Sequence, residues 1–527
     1  MKLNRLLLAG WLLAPALSGA VPQTAAPAPT VAAADLAVQK KPANATLPVA
    51  TVPDAAALAA AEAARIRKST ADHSRFKQLD KEFKSGPEVT RACLDCHTEA
   101  SKQIHTSKHW NWEFTNPTDG KKVGKKNMVN NFCTATTSNE KGCTSCHIGY
   151  GWKDNVSFDF KSEENVDCVV CHDTTGTYRK LPGDAGNPIT ERKEFPAKSG
   201  KFVEPIDLRK VAQNVGKTSR QTCGKCHFFG GGDNGVKHGD LDSSLNNPGR
   251  YLDIHMDAKG NNFTCATCHQ SDAHEVAGSR VAMAGADTAP ARKRGQKNAK
   301  NLASCQACHG DQPHREAQAK AGRTIDAGRM ARLDQHTDKL ACPTCHVPEF
   351  ARGGISTKMS WDWSTATRRD GDGKPLQIKD SSGRPAYDAK KGDFVWEKDV
   401  IPEYRWFNGK SHYVVMGDKI DPSQLVEINR FEGGPDDPDS RIWPMKVHRG
   451  KQPYDTENKT LAVMHTFGND DTALWTNYDM PKAIAEGMRV AGLPYSGKFD
   501  YVKTEMSWPI THMVAPKEDA LTCAQCH

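Results

Sequence analysis

The chain is poor in the residues that normally fill a protein core. Of its 527 residues, 37% are hydrophobic and only 7% are aromatic, which is low for a chain long enough to form two or three domains. Beyond the N-terminus it has no run of about 18 apolar residues, the length that a membrane span needs. We therefore expect a soluble protein whose core is filled in part by something other than side chains.

Cysteine is almost absent outside one short motif. All but one of the 17 cysteines fall in eight Cys-x-x-Cys-His sequences. Two cysteines three residues apart can both bond to one porphyrin, and the next residue places an imidazole under the iron. The motifs, in chain order, are Cys93, Cys96 and His97; Cys143, Cys146 and His147; Cys168, Cys171 and His172; Cys223, Cys226 and His227; Cys265, Cys268 and His269; Cys305, Cys308 and His309; Cys342, Cys345 and His346; and Cys523, Cys526 and His527.

Zinc sites and thioredoxin-type redox sites also use Cys-x-x-Cys. With 20 histidines in 527 residues, only about 4% of such sequences should be followed by histidine by chance, whereas all eight are here. The pattern predicts eight covalently attached haem c groups.

The N-terminus has the order of parts of a secretory signal peptide. Lys2 and Arg5 precede an apolar run, and small residues at 18–20 suit cleavage after Ala20. Haem c is attached outside the cytoplasm, so this order and the motifs both predict a periplasmic protein.

The formal charge of +8 does not indicate a nucleic-acid partner. Each haem adds two propionates, so eight haems bring the net charge to about 0 when oxidised and about −8 when reduced. The basic run at 291–297 is then better read as a solvated loop or a neighbour of haem propionates.

The motifs divide the chain into four parts. We predict a signal peptide at 1–20, an Ala/Pro-rich tether at 21–68, a haem-binding core at 69–350 with seven motifs, and a Trp-rich C-terminal module at 351–527 with the eighth. Short helices are expected after the motifs, so we predict a mainly α fold with a haem-packed core, few strands and long loops. The Gly/Pro/Asp cluster from Gly433 is a solvated loop or, alternatively, a calcium site.

The second axial ligand of each iron must come from outside the motifs. The fifth and sixth motifs are each followed after four residues by a histidine, His274 and His314. Twelve histidines are available, enough to make most haems bis-histidine: His73, His105, His109, His238, His255, His274, His314, His336, His412, His448, His465 and His512.

A haem that transforms a substrate needs an open or displaceable ligand, so exceptions to bis-histidine ligation matter. Lys153 and Lys237 are candidate iron ligands, because burial can lower a lysine pKa enough to yield a neutral ligand. The alternative for both is an exposed lysine. Cys133 is the unpaired seventeenth cysteine, either a small buried residue or a reactive thiol near the second haem.

Several longer segments resemble the octahaem tetrathionate reductase family. They include GPEVTRACLDCHTEA from Gly86, NNFCTATTSNEKGCTSCHIGYGWKD from Asn130, CGKCHFFGGGDNGVKHGDLDSSL from Cys223 and VHRGKQPYDTENKTLAVMHTFG from Val447. The resemblance runs from about residue 70 to the C-terminus, and the number and order of motifs agree.

The resemblance implies closely packed haem pairs, seven bis-histidine haems and one active-site haem with an unusual lysine ligand. That haem is the one on Cys143 and Cys146. Because every motif here ends in histidine, the lysine must come from elsewhere, and Lys237 ranks slightly ahead of Lys153. The family also places a cysteine near this haem, which favours a functional Cys133.

The resemblance leads to a periplasmic oxidoreductase that reduces tetrathionate, nitrite or hydroxylamine, with a periplasmic or membrane-bound cytochrome as electron donor. Two alternatives remain: a pure electron-transfer protein, and a hydroxylamine-oxidising enzyme. We expect no nucleic acid, no membrane span after signal removal, and either a monomer or a homo-oligomer.

Overall fold

The computed structural model describes residues 71–197, 199–276, 278, 304–310, 312–316 and 326–527. The predicted signal peptide, the predicted tether and the basic run at 291–297 lie outside the described residues. The chain divides into two compact units. Of the described residues, those up to Leu521 belong to one unit, and Thr522–His527 belong to the other.

The helices are short, and many of them carry a haem motif. Ser85 and Ser219 cap the helices that lead into the first and fourth motifs, so each motif falls on a fixed turn. The α-helices are α1 Gly86–Leu94, α2 Ala100–Thr106, α3 Lys108–Asn111, α4 Glu140–Cys143, α5 Val169–His172, α6 Leu208–Gln213, α7 Arg220–His227, α8 Cys265–Cys268, α9 Gln306–His309, α10 Ala327–His336, α11 Cys342–His346, α12 Leu474–Asn477 and α13 Met480–Val490. Single turns of 3-10 helix cover His73–Arg75, Lys77–Leu79, Thr144–Cys146, Ser243–Asn246, Trp363–Thr365, Lys517–Asp519 and Cys523–Gln525.

The strands are concentrated in the part of the chain between the seventh and eighth motifs. They are β1 Phe114–Thr115, β2 Lys122–Val123, β3 Lys193–Glu194, β4 Phe202–Val203, β5 Ser271–Asp272, β6 Glu275–Val276, β7 Thr357–Asp362, β8 Gln377–Lys379, β9 Pro385–Asp388, β10 Gly392–Glu397, β11 Glu403–Phe407, β12 Ser411–Tyr413, β13 Val426–Glu427, β14 Asn429–Phe431, β15 Arg441–Asp455, β16 Thr460–Leu461 and β17 Phe499–Pro509.

Nine of these strands form one mixed sheet. Its order is β13-β17-β15-β7-β10-β9-β8, and β11 and β16 also pair with β15. β15 pairs with β17 antiparallel from Met445↔Pro509 to Asp455↔Phe499, and with β7 parallel around Gly450↔Trp361. The long strand β15 is therefore the organising element of the sheet.

The sheet shows that the predicted mainly α fold with few strands is wrong. The longest α-helix in the described residues has 11 residues, whereas β15 alone has 15. The described helices are short, and the Trp-rich segment that follows the seventh motif builds most of the sheet. The described residues thus have a fold of mixed α and β structure.

One face of the sheet packs on a large apolar cluster. Trp361 and Phe394 lie in this cluster together with Trp508 and Val502. Residues 128–135 from the N-terminal half of the chain pack into the same cluster, with Phe132 in edge contact with Trp508 at 5.2 Å between ring centroids. This packing brings the segment just before the second haem motif onto the sheet.

Two further features complete the fold. In the part of the chain that the structure describes, no helix is long and apolar enough to cross a membrane. In the unit that contains Thr522–His527, the backbone N–H of Thr522 donates to Oε1 of Gln525 at 2.8 Å, which fixes the turn that carries the eighth motif.

Candidate functional site

Five motif histidines face a second imidazole across a gap of constant width. The ring centroids lie 5.9–6.4 Å apart in every pair. The pairs are His73 with His97, His109 with His227, His255 with His309, His269 with His512, and His314 with His346.

This spacing fits a bis-histidine haem iron. A metal–imidazole bond is about 2 Å, and a ring centroid lies about 1 Å behind its nitrogen, so two rings on opposite sides of one iron are about 6 Å apart. The observed gaps match this value, and each pair includes the histidine of a covalent attachment motif. The residues present therefore fit haem c at these five motifs.

The motif cysteines form no disulfide bonds in the part of the chain that the structure describes. A tight turn instead brings the two cysteines of a motif to the same side of the backbone. The N–H of Cys96 donates to the Cys93 carbonyl at 3.1 Å, and the same bond recurs at 3.2 Å from Cys308 to Cys305 and from Cys526 to Cys523. This arrangement suits two thioether bonds to one porphyrin.

Hydrogen bonds orient several of the motif and facing imidazoles. Nδ1 of His314 lies 2.9 Å from a carboxylate oxygen of Asp334, and Nδ1 of His512 lies 3.0 Å from one of Asp240. Such a partner on Nδ1 fixes the ring and leaves Nε2 for the metal. Nδ1 of His172, in the third motif, donates to the backbone carbonyl of Gly216 at 2.8 Å.

Contacts between attachment cysteines define which motifs are neighbours. The side chains of Cys93 and Cys168 lie close enough to interact, and so do those of Cys223 and Cys265. Since each cysteine marks the edge of one porphyrin, the first motif adjoins the third, and the fourth adjoins the fifth.

The second motif adjoins the fourth. Cys226 Sγ lies 3.6 Å from the Cys146 carbonyl oxygen, and the two side chains lie close enough to interact. Cys171 of the third motif lies within electrostatic range of Cys226. The attachment site on Cys143 and Cys146 is thus connected to the other motifs through the fourth.

His147 of the second motif differs from the paired histidines. It is fully buried, and its Nε2 donates to the Trp110 carbonyl at 2.7 Å, while Nδ1 has no partner among the described residues. Burial lowers its pKa to about 3, so the ring is neutral. With Nε2 bound to a backbone carbonyl, His147 is oriented unlike a histidine that faces a second imidazole.

The other candidate histidines have varied surroundings. His412 contacts Asp119 and Glu432 with its two ring nitrogens, and those of His465 contact Ser138 and Asp470. His105 contacts the Ser162 carbonyl and the Trp110 ring. His336 contacts the Arg332 carbonyl, and His238 is buried 6.2 Å from the Trp508 ring centroid. His274 contacts Gln103 and lies within electrostatic range of His172 and His97.

The three candidate catalytic residues fall into two groups. Lys153 is exposed at the surface. Lys237 is half-buried, with its Nζ 5.3 Å from the Phe132 ring centroid, and Cys133 is the next residue after that phenylalanine. Cys133 is partly buried and lies within electrostatic range of Cys143. The structure therefore places Lys237 beside the residue that precedes Cys133 and leaves Lys153 at the surface.

A buried lysine on the sheet also lies near Cys133. A β-bulge between β10 and β7 puts Lys358 on the same face as Trp361, and Nζ lies 3.7 Å from the centroid of that ring. Phe394 and Trp396 complete the aromatic surroundings. Among the described residues, nothing forms a hydrogen bond or ion pair with this ammonium group.

The burial of Lys358 and the charges near it favour the binding of an anion. Burial lowers its pKa well below the usual lysine value, the nearby Lys391 and Lys446 lower it further, and the thiol of Cys133 opposes them. A buried cation without a partner is costly, and a bound anion would remove that cost.

Two further polar side chains on β15 share this face of the sheet. Lys446 and His448 are fully buried, two residues apart. Neither ring nitrogen of His448 has a hydrogen-bond partner among the described residues. Burial lowers the His448 pKa well below its usual value, with Lys446 and Lys358 contributing, so the imidazole is neutral.

Residues 130–133 lie over this face and connect it to the second motif. Nδ2 of Asn131 donates to the His448 carbonyl at 2.8 Å, and Nε2 of Gln452 donates to the Asn130 carbonyl at 3.0 Å. We call the group formed by Cys133, Lys237, Lys358 and His448 the cationic pocket.

Sequence reasoning missed Lys358 and Lys446. Each sits inside an otherwise apolar or β-branched stretch, in ISTKMSW and IWPMKVH, and such a position is a signal for a buried lysine. Lys180 was also missed; it is 1% exposed, pairs with Asp167 at 2.9 Å and donates to the His147 carbonyl. The described residues contain no group of three or more His, Cys, Asp or Glu side chains suited to hold a metal ion.

Comparisons with known proteins bear on the class of this protein. A family model described as bacterial cytochrome c matches residues 358–527, and one described as cytochrome c554 and c-prime matches residues 92–173. The crystal structure of octaheme cytochrome c from Shewanella oneidensis is 40% identical, with a TM-score of 0.72, and the match covers 87% of this chain and 94% of that one. An uncharacterized protein of Archaeoglobus fulgidus is 22% identical over 227 residues, which is 36% of this chain and 75% of that protein.

The motifs, the facing imidazoles and the family models together define a multihaem c-type cytochrome, a redox protein with covalently bound haem c. At 40% identity over most of both chains, it belongs to the octahaem cytochrome c family, and its resemblance to the octahaem tetrathionate reductases is confirmed.

Proposed function

We propose that this chain is a periplasmic oxidoreductase with eight haem c groups that reduces a small sulfur or nitrogen compound beside Cys143 and Cys146. Tetrathionate, nitrite and hydroxylamine are the candidate substrates. The haem at that motif supplies electrons to the bound substrate. The protein side chains bind and orient the substrate and exclude water.

One observation carries this proposal: a buried ammonium group without a protein partner among the described residues lies within electrostatic range of Cys133, which precedes the second motif by ten residues. Lys358 lies within electrostatic range of Cys133, which in turn lies within range of Cys143. A negatively charged oxygen on the substrate is the partner that Lys358 lacks. The neutral imidazole of His448 offers either a donor or an acceptor for a second atom of the same substrate.

Lys237 is the proposed iron ligand at the second motif. It is half-buried beside Phe132, which precedes Cys133, whereas Lys153 is exposed. Nε2 of His147 donates to a backbone carbonyl, so we propose that another side chain binds the iron at this motif.

The other motifs serve electron transfer in this proposal. The five facing pairs of imidazoles are bis-histidine ligands, and His274 is the proposed partner of His172. A periplasmic or membrane-bound cytochrome is the proposed electron donor. Calcium has no part in the proposal, since both carboxylate oxygens of Asp437, in the loop at 433–440, accept hydrogen bonds from protein groups such as Asn408 and Ser440.

Reductive turnover tests the proposal. The protein is assayed with a reduced viologen as donor and tetrathionate, nitrite or hydroxylamine as acceptor, alongside Lys237→Met and Lys153→Met. We expect turnover of at least one substrate, a large loss in Lys237→Met and no loss in Lys153→Met. Absence of turnover with all three, in protein that carries its full haem complement, would refute the enzyme and favour an electron-transfer protein.

A further inference from the structure

We propose that Lys446 is a positioning residue that holds the loop carrying Lys237 against the sheet. This inference rests on the proposed function, because its consequence is the direction in which Lys237 points. It assigns to Lys446 a role different from that of the neighbouring lysine, Lys358.

The hydrogen bonds of Lys446 lead from the sheet to this loop. Its Nζ, buried on β15, donates to the Val236 carbonyl at 2.9 Å and to the Lys237 carbonyl at 3.2 Å. It also donates to Thr357 Oγ1 on the neighbouring strand β7, at 2.5 Å. The ammonium group thus joins two strands of the sheet to the backbone of the residue proposed to bind iron.

Counting donors separates the two buried lysines. An ammonium group has three N–H donors, and three oxygens lie within hydrogen-bond distance of Lys446 Nζ. Lys358, by contrast, contacts aromatic rings and forms no hydrogen bond among the described residues. Lys358 is therefore free to bind an anion, and Lys446 already has its partners within the protein.

Packing alone does not explain a lysine at this position. A methionine would fill a similar volume without the cost of burying a charge. A buried lysine does what an apolar residue cannot, which is to bind two successive carbonyl groups of a loop. The charge-assisted bonds fix the backbone at 236–237.

Two other residues, Thr357 and Arg384, also hold this loop against the sheet. Thr357 Oγ1 donates to the Gly235 carbonyl at 2.6 Å. Arg384 pairs with Asp233 at 2.6 Å and donates to the Asn234 carbonyl at 2.9 Å. Every residue from 233 to 237 is thus bound through its side chain or carbonyl to a residue of the C-terminal half.

The loop must turn sharply to present Lys237. Gly235 has φ +73°, a conformation that suits glycine, and the Lys237 N–H donates to the Gly230 carbonyl at 3.0 Å. Release of the carbonyls at 236–237 would let the end of this turn rotate. A rotation of the backbone at 236–237 would move Lys237 Nζ, because the Lys237 side chain is attached to that backbone.

The test compares Lys446→Met, Lys446→Arg and Thr357→Val in the holoprotein, with Lys451→Met as control. Lys451 lies on β15 but on the opposite face, so its replacement removes a charge without touching the loop. The readout is the low-temperature EPR spectrum, together with kcat and KM for the substrate that turns over. If Lys446→Met folds poorly, Thr357→Val provides a second variant that removes a hydrogen bond to the loop.

We expect Lys446→Met to change the EPR signal of the one lysine-ligated haem and to lower kcat at least tenfold, with little effect on KM. Thr357→Val should shift the same signal to a lesser extent, and Lys446→Arg should restore part of it. The bis-histidine signals and the control should match the parent. An unchanged EPR spectrum with a raised KM would overturn the inference and make Lys446 a substrate-binding residue.

Lys237→Met separates failure of this inference from failure of the proposed function. If Lys237→Met alters the signal and both loop variants leave it intact, only the positioning role fails. If Lys237→Met itself leaves the spectrum unchanged, the proposed lysine ligand fails instead.

Discussion

Replacement of Lys358 by methionine should make the protein more stable and a poorer enzyme. The variant removes a buried ammonium group that has no protein partner and keeps an unbranched side chain among three aromatic rings. Relief of that unpaired buried group should raise the free energy of unfolding by about 1–3 kcal/mol. Loss of a charged hydrogen bond to the substrate costs about 1.5–3 kcal/mol, which corresponds to a rise of about 10- to 150-fold in KM.

The assay pairs thermal unfolding with steady-state kinetics on an oxyanion substrate. Lys398→Met is the matched control, because Lys398 is exposed and its loss changes the net charge equally. A Lys358→Met protein that unfolds at a lower temperature and keeps its parent KM would refute the reasoning and show that the lysine is structural.

Three further outcomes follow from the geometry. Gly450→Ala would place a methyl carbon 2.7 Å from Thr504 Oγ1 under residues 130–133, so we expect a loss of about 1–3 kcal/mol in unfolding free energy together with slower turnover. His109→Ala removes the imidazole that faces His227 at 6.1 Å, so one reduced haem should bind carbon monoxide, as a difference spectrum would record. The lowered pKa of Lys358, caused mainly by burial, means that the ammonium loses its proton as pH rises through that pKa, so KM for an anionic substrate should increase with pH.

Each of these has a contrary result. Parent stability and turnover in Gly450→Ala would show that the segment at 130–133 is not held closely against β15. Absence of carbon monoxide binding in His109→Ala would mean that His227 has another partner. A KM that is constant or falls as pH rises would indicate that Lys358 does not contact the anion.

The haem sites could be predicted from sequence because they are local. Two cysteines, a histidine and a fixed spacing determine the chemistry of each motif whatever the fold around it. The second axial ligands are different: His73 lies 24 positions before its partner His97, and His512 lies 243 positions after His269. Only the folded chain shows these pairings.

The sheet was missed because its central strand does not look like one. β15 contains Pro444, Gly450 and Pro453, residues that usually interrupt strands. Its pocket face carries Lys446 and His448 where a buried strand normally has apolar residues. The alternation of apolar and polar residues that indicates a strand is therefore absent where the strand supports the pocket.

The cationic pocket was missed for a related reason. Cys133 was noticed because it lies outside the motifs, and Lys237 because a buried lysine can bind iron, but Lys358 lies 225 positions from that cysteine. A bulge between β7 and β10 gives Lys358 its orientation, and nothing in the local sequence specifies that bulge.

We propose that one haem, on Cys143 and Cys146, differs from the rest and meets the substrate in the cationic pocket. Low-temperature EPR of the oxidised holoprotein, recorded with and without tetrathionate, nitrite or hydroxylamine, tests this proposal. We expect a signal distinct from those of the bis-histidine haems that shifts when a substrate is added and is lost or altered in Lys237→Met. A spectrum with only bis-histidine signals, unchanged by all three compounds, would contradict it.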